Sequence, residues 1–496
     1  MRQWSGEIFV KRRVSSGSQF AVVYAVLTLN VLVARVPIAN AIQYEVGVGE
    51  TYTSIQQCLD VVEPGDTCNI HSGTYTEQLV LRSNGTHAKR ITIQRHRNDM
   101  VTVRSSATPV VSLNGKSYWN FDGVNITYDG TDINPRGFSN FHSASIDYIT
   151  IKNLAVGMNG GSGTEGACIH IADGNHVTVD RVTCAVTASM AHGQGIDGFS
   201  FLFNSNLQVL NNRIYGNADE ITGRLEDGIV VSGTNILIDN NEILDGWAYD
   251  THPDGIVVQG DGDRNGNLPD RITITRNTIK NFSQGIYVDP VRISAITNVL
   301  IANNLVYQTS DFRYGGRAAM NGMTFKGKRV GRDLPYATLD LKVHNNTIET
   351  KQFLIYVLQT STETTIDISN NIFVAPPYGA VNARSVSGVK LNHNCYIGGV
   401  SKPIAWGETA YTFPAFQSLT GQETESFADP VGLNSDYRPK SQSNCNGRGA
   451  NLSAHFQVDK AGRTRQSFPH SWDIGAFSYQ PSDGHLPAPP SNLQMR

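Results

Sequence analysis

The stretch Asp227-Gly-Ile-Val-Val-Ser-Gly-Thr-Asn-Ile-Leu-Ile-Asp-Asn240-Asn241-Glu-Ile-Leu244 contains both phrases from which the chain is built. The first is a polar residue, a glycine and alternating apolar positions. It returns at Glu165-Gly166, Asp197-Gly198, Asp254-Gly255, Gln284-Gly285 and Asn321-Gly322. The second is an apolar alternation closed by paired asparagines, at Asn211-Asn212, Asn240-Asn241, Asn303-Asn304, Asn345-Asn346 and Asn370-Asn371, with Asn277 alone in one copy. Counted at the second asparagine, the copies lie 29, 36, 27, 42 and 25 residues apart. Self-similarity at such intervals marks a solenoid in which each unit stacks on the one before. The floor near 25 residues is one bare turn, and the excess is loop.

Apolar alternation over three to five residues is strand periodicity. Asparagine tolerates left-handed backbone angles and bonds its own backbone, so it suits a tight corner, and amides stacked on successive turns can bond to one another. The expected fold is an all-β solenoid of short stacked strands. Tyr52 to Val62 reads as a short amphipathic capping helix stopped at Pro64-Gly65-Asp66. Strands follow at Thr67 to Ile70 and Gln78 to Leu81, with a turn at Ser72-Gly73-Thr74. With these capping phrases and the asparagine rungs, residues 45 to 400 resemble the pectate-lyase-like superfamily, a resemblance that implies a right-handed parallel β-helix. Within it they look most like the chondroitinase-B and alginate-lyase group. That resemblance implies a carbohydrate-active protein on a fold that also carries hydrolases, epimerases and adhesins.

Residues 1–41 read as an export signal: Lys11, Arg12 and Arg13 precede the apolar run Phe20 to Ala34, and Ala39-Asn40-Ala41 offers a cleavage site. The β-helix is then expected over 42–400, a closing segment over 401–480 and a Pro-rich tail over 481–496. Export to a secreted or periplasmic location permits disulfides. Nearest-neighbour pairing gives Cys58 with Cys68, Cys168 with Cys184 and Cys395 with Cys445, although spacing alone leaves other connectivities open. A net charge of -3 argues against a nucleic-acid partner, and no membrane contact is expected after signal cleavage. The chain is expected to be a monomer.

Chemistry is expected on one stripe of the solenoid. Asp197, Asp227 and Asp254 precede glycines on successive turns. Two ionised carboxylates ~5 Å apart at an effective dielectric near 20 repel by roughly 3 kcal/mol, so a shared proton, basic neighbours or a bound cation must relieve them. Calcium is the candidate cofactor, with these three aspartates as its ligands. The alternative is that each aspartate only caps its own turn. With the apolar first and third positions inside, Val230, Ser232, Val257, Gln259, Tyr287, Asp289, Thr324 and Lys326 face outward. The stretch 261–270 matches the start of a calcium loop but has Ile272 where the closing glutamate belongs. Phe312 to Arg332 holds six basic residues and no acid, a concentration that attracts anions.

The candidate catalytic residues are therefore Lys326, His252, Asp254, Asp227 and Asp289. Arg292, Arg313, Arg317, Tyr287 and Gln259 are the candidate substrate contacts. A base beside a group that neutralises a uronate carboxylate is what β-elimination needs, so the expectation is a lyase acting on an acidic polysaccharide. A glycoside hydrolase using two of the aspartates and a non-catalytic glycan-binding solenoid are the alternatives.

Overall fold

The computed structural model describes residues 41–140, 144–161, 166–187, 195–216, 225–247, 253–260, 268–309, 320–329, 334–375, 378–399, 401–465 and 472–479. The export signal, the tail beyond 480, His252, Arg313, Arg317, Arg332 and most of the calcium-loop stretch lie outside the described residues. Residues 41–496 form one unit.

Each coil runs through three strand positions. Sheet I carries the glycine phrases, from Leu79–Val80 through Ile196–Leu210, Asp254–Gln259, Gln284–Asp289 and Asn321–Lys326 to Ile404–Trp406. Sheet II carries the run before each asparagine corner, and sheet III the short strands after it. Sheet III holds 13 strands in one parallel series from Gly73–Thr76 to Phe427–Asp429. Two strands are much longer than the alternation suggested: Ile196–Leu210 and Ile229–Asp239 run from sheet I into sheet II without a break. Gly73–Thr76, expected as part of a turn, is the first strand of sheet III. The capping helix is shorter than its periodicity implied, Ile55–Leu59, with Ser54 and Gln57 forming a capping box.

The core is a column of Ile, Val, Leu and Phe stacked along the axis, among them Phe199, Phe201, Ile229, Ile256, Ile286 and Phe325, all inaccessible. The second asparagines form a buried ladder inside the corners. Asn212, Asn241, Asn277, Asn304 and Asn346 each donate from the side-chain amide to the Oδ1 of the next coil's asparagine, at 2.9 to 3.0 Å. The first asparagine of the pair supplies the left-handed backbone, as at Asn211, Asn240 and Asn303 with φ of 55°, 56° and 58°. All three expected disulfides are formed.

The closing segment departs from expectation. The helix Phe413–Thr420 packs Phe416 against Trp406 and Tyr411 at the end of the stack. Beyond it the chain returns along the outside of earlier coils. The corner amides of Asn370, Asn345 and Asn303 donate to the carbonyls of Ala450, Asp473 and Val458, and Lys460 reaches the carbonyl of Arg276. Repeats hide this return because it has no periodicity of its own. It binds the outer face of asparagine corners that other coils leave to solvent.

At the far end, buried Glu423 accepts from Tyr396 Oη at 2.5 Å, from Asn394 and from Ser426. Burial nevertheless raises its pKa to about 6. A carboxyl whose folded pKa exceeds its unfolded value favours folding most when protonated. Stability from this group is therefore lost as pH rises from about 4.5 to about 6. Thermal unfolding of Glu423→Gln is expected to lack that loss, checked by comparing Tm across this window with the parent chain.

Candidate active site

The glycine of each sheet I phrase decides where its neighbours point. A Cβ on Gly228 would lie 2.3 Å from Ile243 and 2.4 Å from the Gly255 carbonyl oxygen; on Gly255 it would lie 2.3 Å from Ile279 and 2.5 Å from the Gly285 carbonyl oxygen. These glycines face inward where sheet I meets sheet III, and only a residue without a side chain fits there. The residue before each glycine points the other way, because strand side chains alternate. The residue after it, Ile229 or Ile256, is again in the core. The alternation slips once at the glycine, which leaves Asp227 and Val230, or Asp254 and Val257, on the same outer side.

Register then stacks these outward residues. Ala167 pairs with Asp197, Asp254 with Gln284, and Gln284 with Asn321. The pairs Phe199 with Ile229 and Ile229 with Ile256 extend the same column through Asp227. The first column is thus Asp197, Asp227, Asp254, Gln284, Asn321, three acids passing into two amides. The second is Val230, Val257, Tyr287, Thr324. The third brings Gln259 beside Asp289, with Lys326 one coil further. Strand spacing sets successive members ~4.8 Å apart.

The stripe is recessed rather than openly exposed, which corrects the simple outward reading. Val230, Val257 and Tyr287 are buried against one another in an apolar cluster separate from the main core, with Leu202 packed on it. Asp254 and Asp289 keep only 1% and 8% of their surface, whereas Asp197, Asp227, Gln259 and Lys326 are half-buried. Such shielding strengthens every charge interaction in the cluster.

Asp289 accepts three hydrogen bonds: from Lys326 Nζ at 2.7 Å, from Tyr287 Oη at 2.8 Å and from the Val291 amide at 3.0 Å. Tyr287 is pushed far above its ordinary pKa, first by burial, then by Asp289, and further by Asp254 and Asp227. It stays a neutral phenol that donates to Asp289 while standing in the field of the acid column. Asp227 carries the strain of the like charges. Burial first, then Asp254, Asp197 and Glu226, raise its pKa well above the carboxylate range, against the opposing amide of Asp254, which donates to its Oδ1 at 3.0 Å. The like charges thus favour the protonated form of the middle member of the column. Glu226 escaped the sequence reading because it stands one place outside the repeated phrase.

Of the described basic residues in the neighbouring loops, Lys328 and Arg292 are exposed, and Arg329 donates to the Arg292 carbonyl at 2.8 Å. A groove of about 750 Å³ runs along sheet II, lined by residues that include Arg90, Tyr148, His176, Gln208 and Arg271. None of the candidate residues lines it.

The molecule is thus a right-handed parallel β-helix with a recessed acid and lysine cluster on sheet I. The family model described as "Right handed beta helix region" matches residues 227–396, the coils that hold Asp227, Asp254, Tyr287, Asp289 and Lys326. No curated protein matches the chain. Among solved structures, a rhamnogalacturonan lyase is similar at 13% identity over 66% of this chain and 87% of its own, with a TM-score of 0.41. Pectate lyase Pel9A is similar at 14% identity over 89% and 97%, TM-score 0.42. A mannuronan C-5 epimerase module from Azotobacter vinelandii, AlgE6, is similar at 16% over 68% and 94%, TM-score 0.39. Identities this low leave the chemistry to be argued from the residues themselves.

Proposed function

We propose that the chain is an exported enzyme that cleaves a uronate-containing polysaccharide by β-elimination. One observation carries this reading: Lys326, held 2.7 Å from Asp289, puts a positive charge on the same recessed face as the column of Asp197, Asp227 and Asp254. Elimination needs three functions together. A cation neutralises the uronate carboxylate and so acidifies the C5 proton; a base removes that proton; an acid protonates the departing glycosidic oxygen as the C4–O bond breaks and the C4–C5 double bond forms.

Lys326 takes the first role, using the ammonium hydrogens that Asp289 does not occupy. Asp289, whose oxygens already receive three donors, positions Lys326 rather than abstracting a proton. Asp254 is assigned as the base, and Asp227, whose pKa is raised by burial and the neighbouring carboxyls, as the acid. Asp197 completes the column. The three aspartates also offer the hard oxygen donors that calcium prefers, and an ion there would relieve their mutual repulsion. Lys328 and Arg292 lie on the approach to the site and suit an anionic polymer. Three disulfides support export, for which residues 1–41 are the proposed signal. Among the described residues, no helix is long and apolar enough to cross a membrane.

Hydrolysis is the second reading, favoured by Asp227: two carboxyl groups on strands ~5 Å apart, one with a raised pKa, are also the retaining-glycosidase arrangement. The products separate the two. Incubation with pectate, alginate and glycosaminoglycans is expected to give new reducing ends together with the ultraviolet absorbance of an unsaturated uronate. Reducing ends without that absorbance would establish hydrolysis, and bound but uncut glycan would leave a binding solenoid.

A further inference from the structure

A second cluster, remote in sequence from the acid column, sits where the first coils leave sheet II. Ile70 and Arg95 are partners in the parallel register, so the residues after them, His71 and His96, stack on consecutive coils. Their rings lie 4.3 Å apart and 19° from parallel. Asp99 turns back beneath them. Its Oδ2 accepts from the Ser72 amide at 3.0 Å and lies 3.3 Å from His96 Nδ1 and 3.9 Å from His71 Nδ1.

The opposite edge of His71 is held by carboxylates. Nε2 is 2.8 Å from Glu45 Oε2, with Glu50 Oε1 at 3.8 Å. Glu45 is itself fixed by Asn69 Nδ2, which donates to Oε2 at 2.8 Å, and by Gln43 Nε2, which donates to Oε1 at 2.6 Å. With Nε2 engaged by Glu45, Nδ1 is the ring nitrogen that faces Asp99.

The spacing suits a metal. Donors ~2.0 to 2.1 Å from a tetrahedral zinc ion stand roughly 3.4 Å from one another. The His96–Asp99 separation already has that value, and a small ring rotation would bring His71 to it. A carboxylate that holds the far nitrogen of an imidazole is also the usual orienting partner of a metal-bound histidine. The side chains of His71, His96 and Asp99 are 29%, 25% and 28% exposed, so an ion can enter from solvent.

We propose that His71, His96 and Asp99 form a binding site for a zinc-type divalent ion, with Glu45 orienting His71 and water completing the shell. The ion would join two coils at the open N-terminal end of the stack. The role is structural and independent of the sheet I chemistry.

Cobalt(II) and zinc(II) are the probes. Tag-free protein freed of metal by dialysis is expected to develop the visible bands of tetrahedral cobalt at one equivalent, to lose them on zinc addition, and to gain at least about 2 °C in Tm with excess zinc. His96→Ala, folded by circular dichroism, is expected to lose both responses. Asp99→Asn serves if that variant does not fold, and His455→Ala, beside the separate His344–Asp367 pair, is expected to keep both. Absent bands and an unmoved Tm in the parent protein would overturn the proposal, as would a His96→Ala or Asp99→Asn variant that responds like the parent.

Discussion

Lys326→Ala is expected to lower kcat/KM on a uronate polysaccharide by about 10³-fold, toward the upper end of what losing one preorganised electrostatic contact costs. Two effects combine. The substrate carboxylate loses the charge that stabilises the carbanion-like transition state. Asp289, freed of its ion pair, then places a negative charge near that same carboxylate. Folding is expected to survive, because Asp289 keeps the Tyr287 hydroxyl and the Val291 amide. Lys326→Arg keeps the charge but spreads it over a planar fork, so partial recovery is expected rather than full activity. Initial rates of ultraviolet-absorbing product, with circular dichroism as the folding control, measure all of this. A loss below about tenfold for Lys326→Ala would remove the lysine from the chemistry.

The largest effect on stability is expected from the asparagine ladder. In Asn304→Ala, the amide N–H and side chain of Asn277 both lose the Oδ1 they donate to, at 2.9 and 3.0 Å, the Ile274 carbonyl loses its side-chain donor, and Asn346 Oδ1 keeps only the backbone amide of residue 304. Asn304 has no accessible surface, so water does not replace these bonds. Each orphaned buried group costs about 1 to 3 kcal/mol, and a total of about 4 kcal/mol is expected after partial relaxation. Asn211→Ala, at an exposed corner where the side chain donates to Asp180 and accepts from Asn240, should cost less, because water can replace both bonds. Chemical denaturation of the two variants compares them. Equal and small losses would mean that the ladder is ornamental to the fold.

These residues also mark how far the sequence could be read. The spacing of Asn212, Asn241, Asn277, Asn304, Asn346 and Asn371 is the register itself, since each side chain bonds the next in that order. A buried amide that must find its copy one coil away tolerates little drift, so the periodicity survives in the letters. The disulfides were legible for a related reason, joining near neighbours on a fold with short-range closure. The return of residues 450–465 and 472–479 along the stack was not. Its contacts, such as Arg465 with Asn303, are made mostly to backbone carbonyls and single side chains and leave no pattern.

The site was legible in part. Asp197, Asp227 and Asp254 announce a column because each precedes a glycine whose inward face admits no side chain. That the pKa of the middle member is raised depends on burial first and on Glu226 beside the other two aspartates, and neither burial nor Glu226 follows from spacing. His71 and His96 stand one coil interval apart, a signal that becomes readable only once the first coil's register is known. His252, a candidate catalytic residue, and Arg313 and Arg317, candidate substrate contacts, lie outside the described residues.

The most direct test is a crystal structure of the Lys326→Ala protein soaked with a uronate oligosaccharide that the parent enzyme cleaves. The account predicts sugar on sheet I, with a uronate carboxylate directed at the vacated lysine position and the scissile oxygen beside Asp227 and Asp254. Sugar bound in the sheet II groove near Tyr148 and Gln208, with the acid column bare, would contradict it.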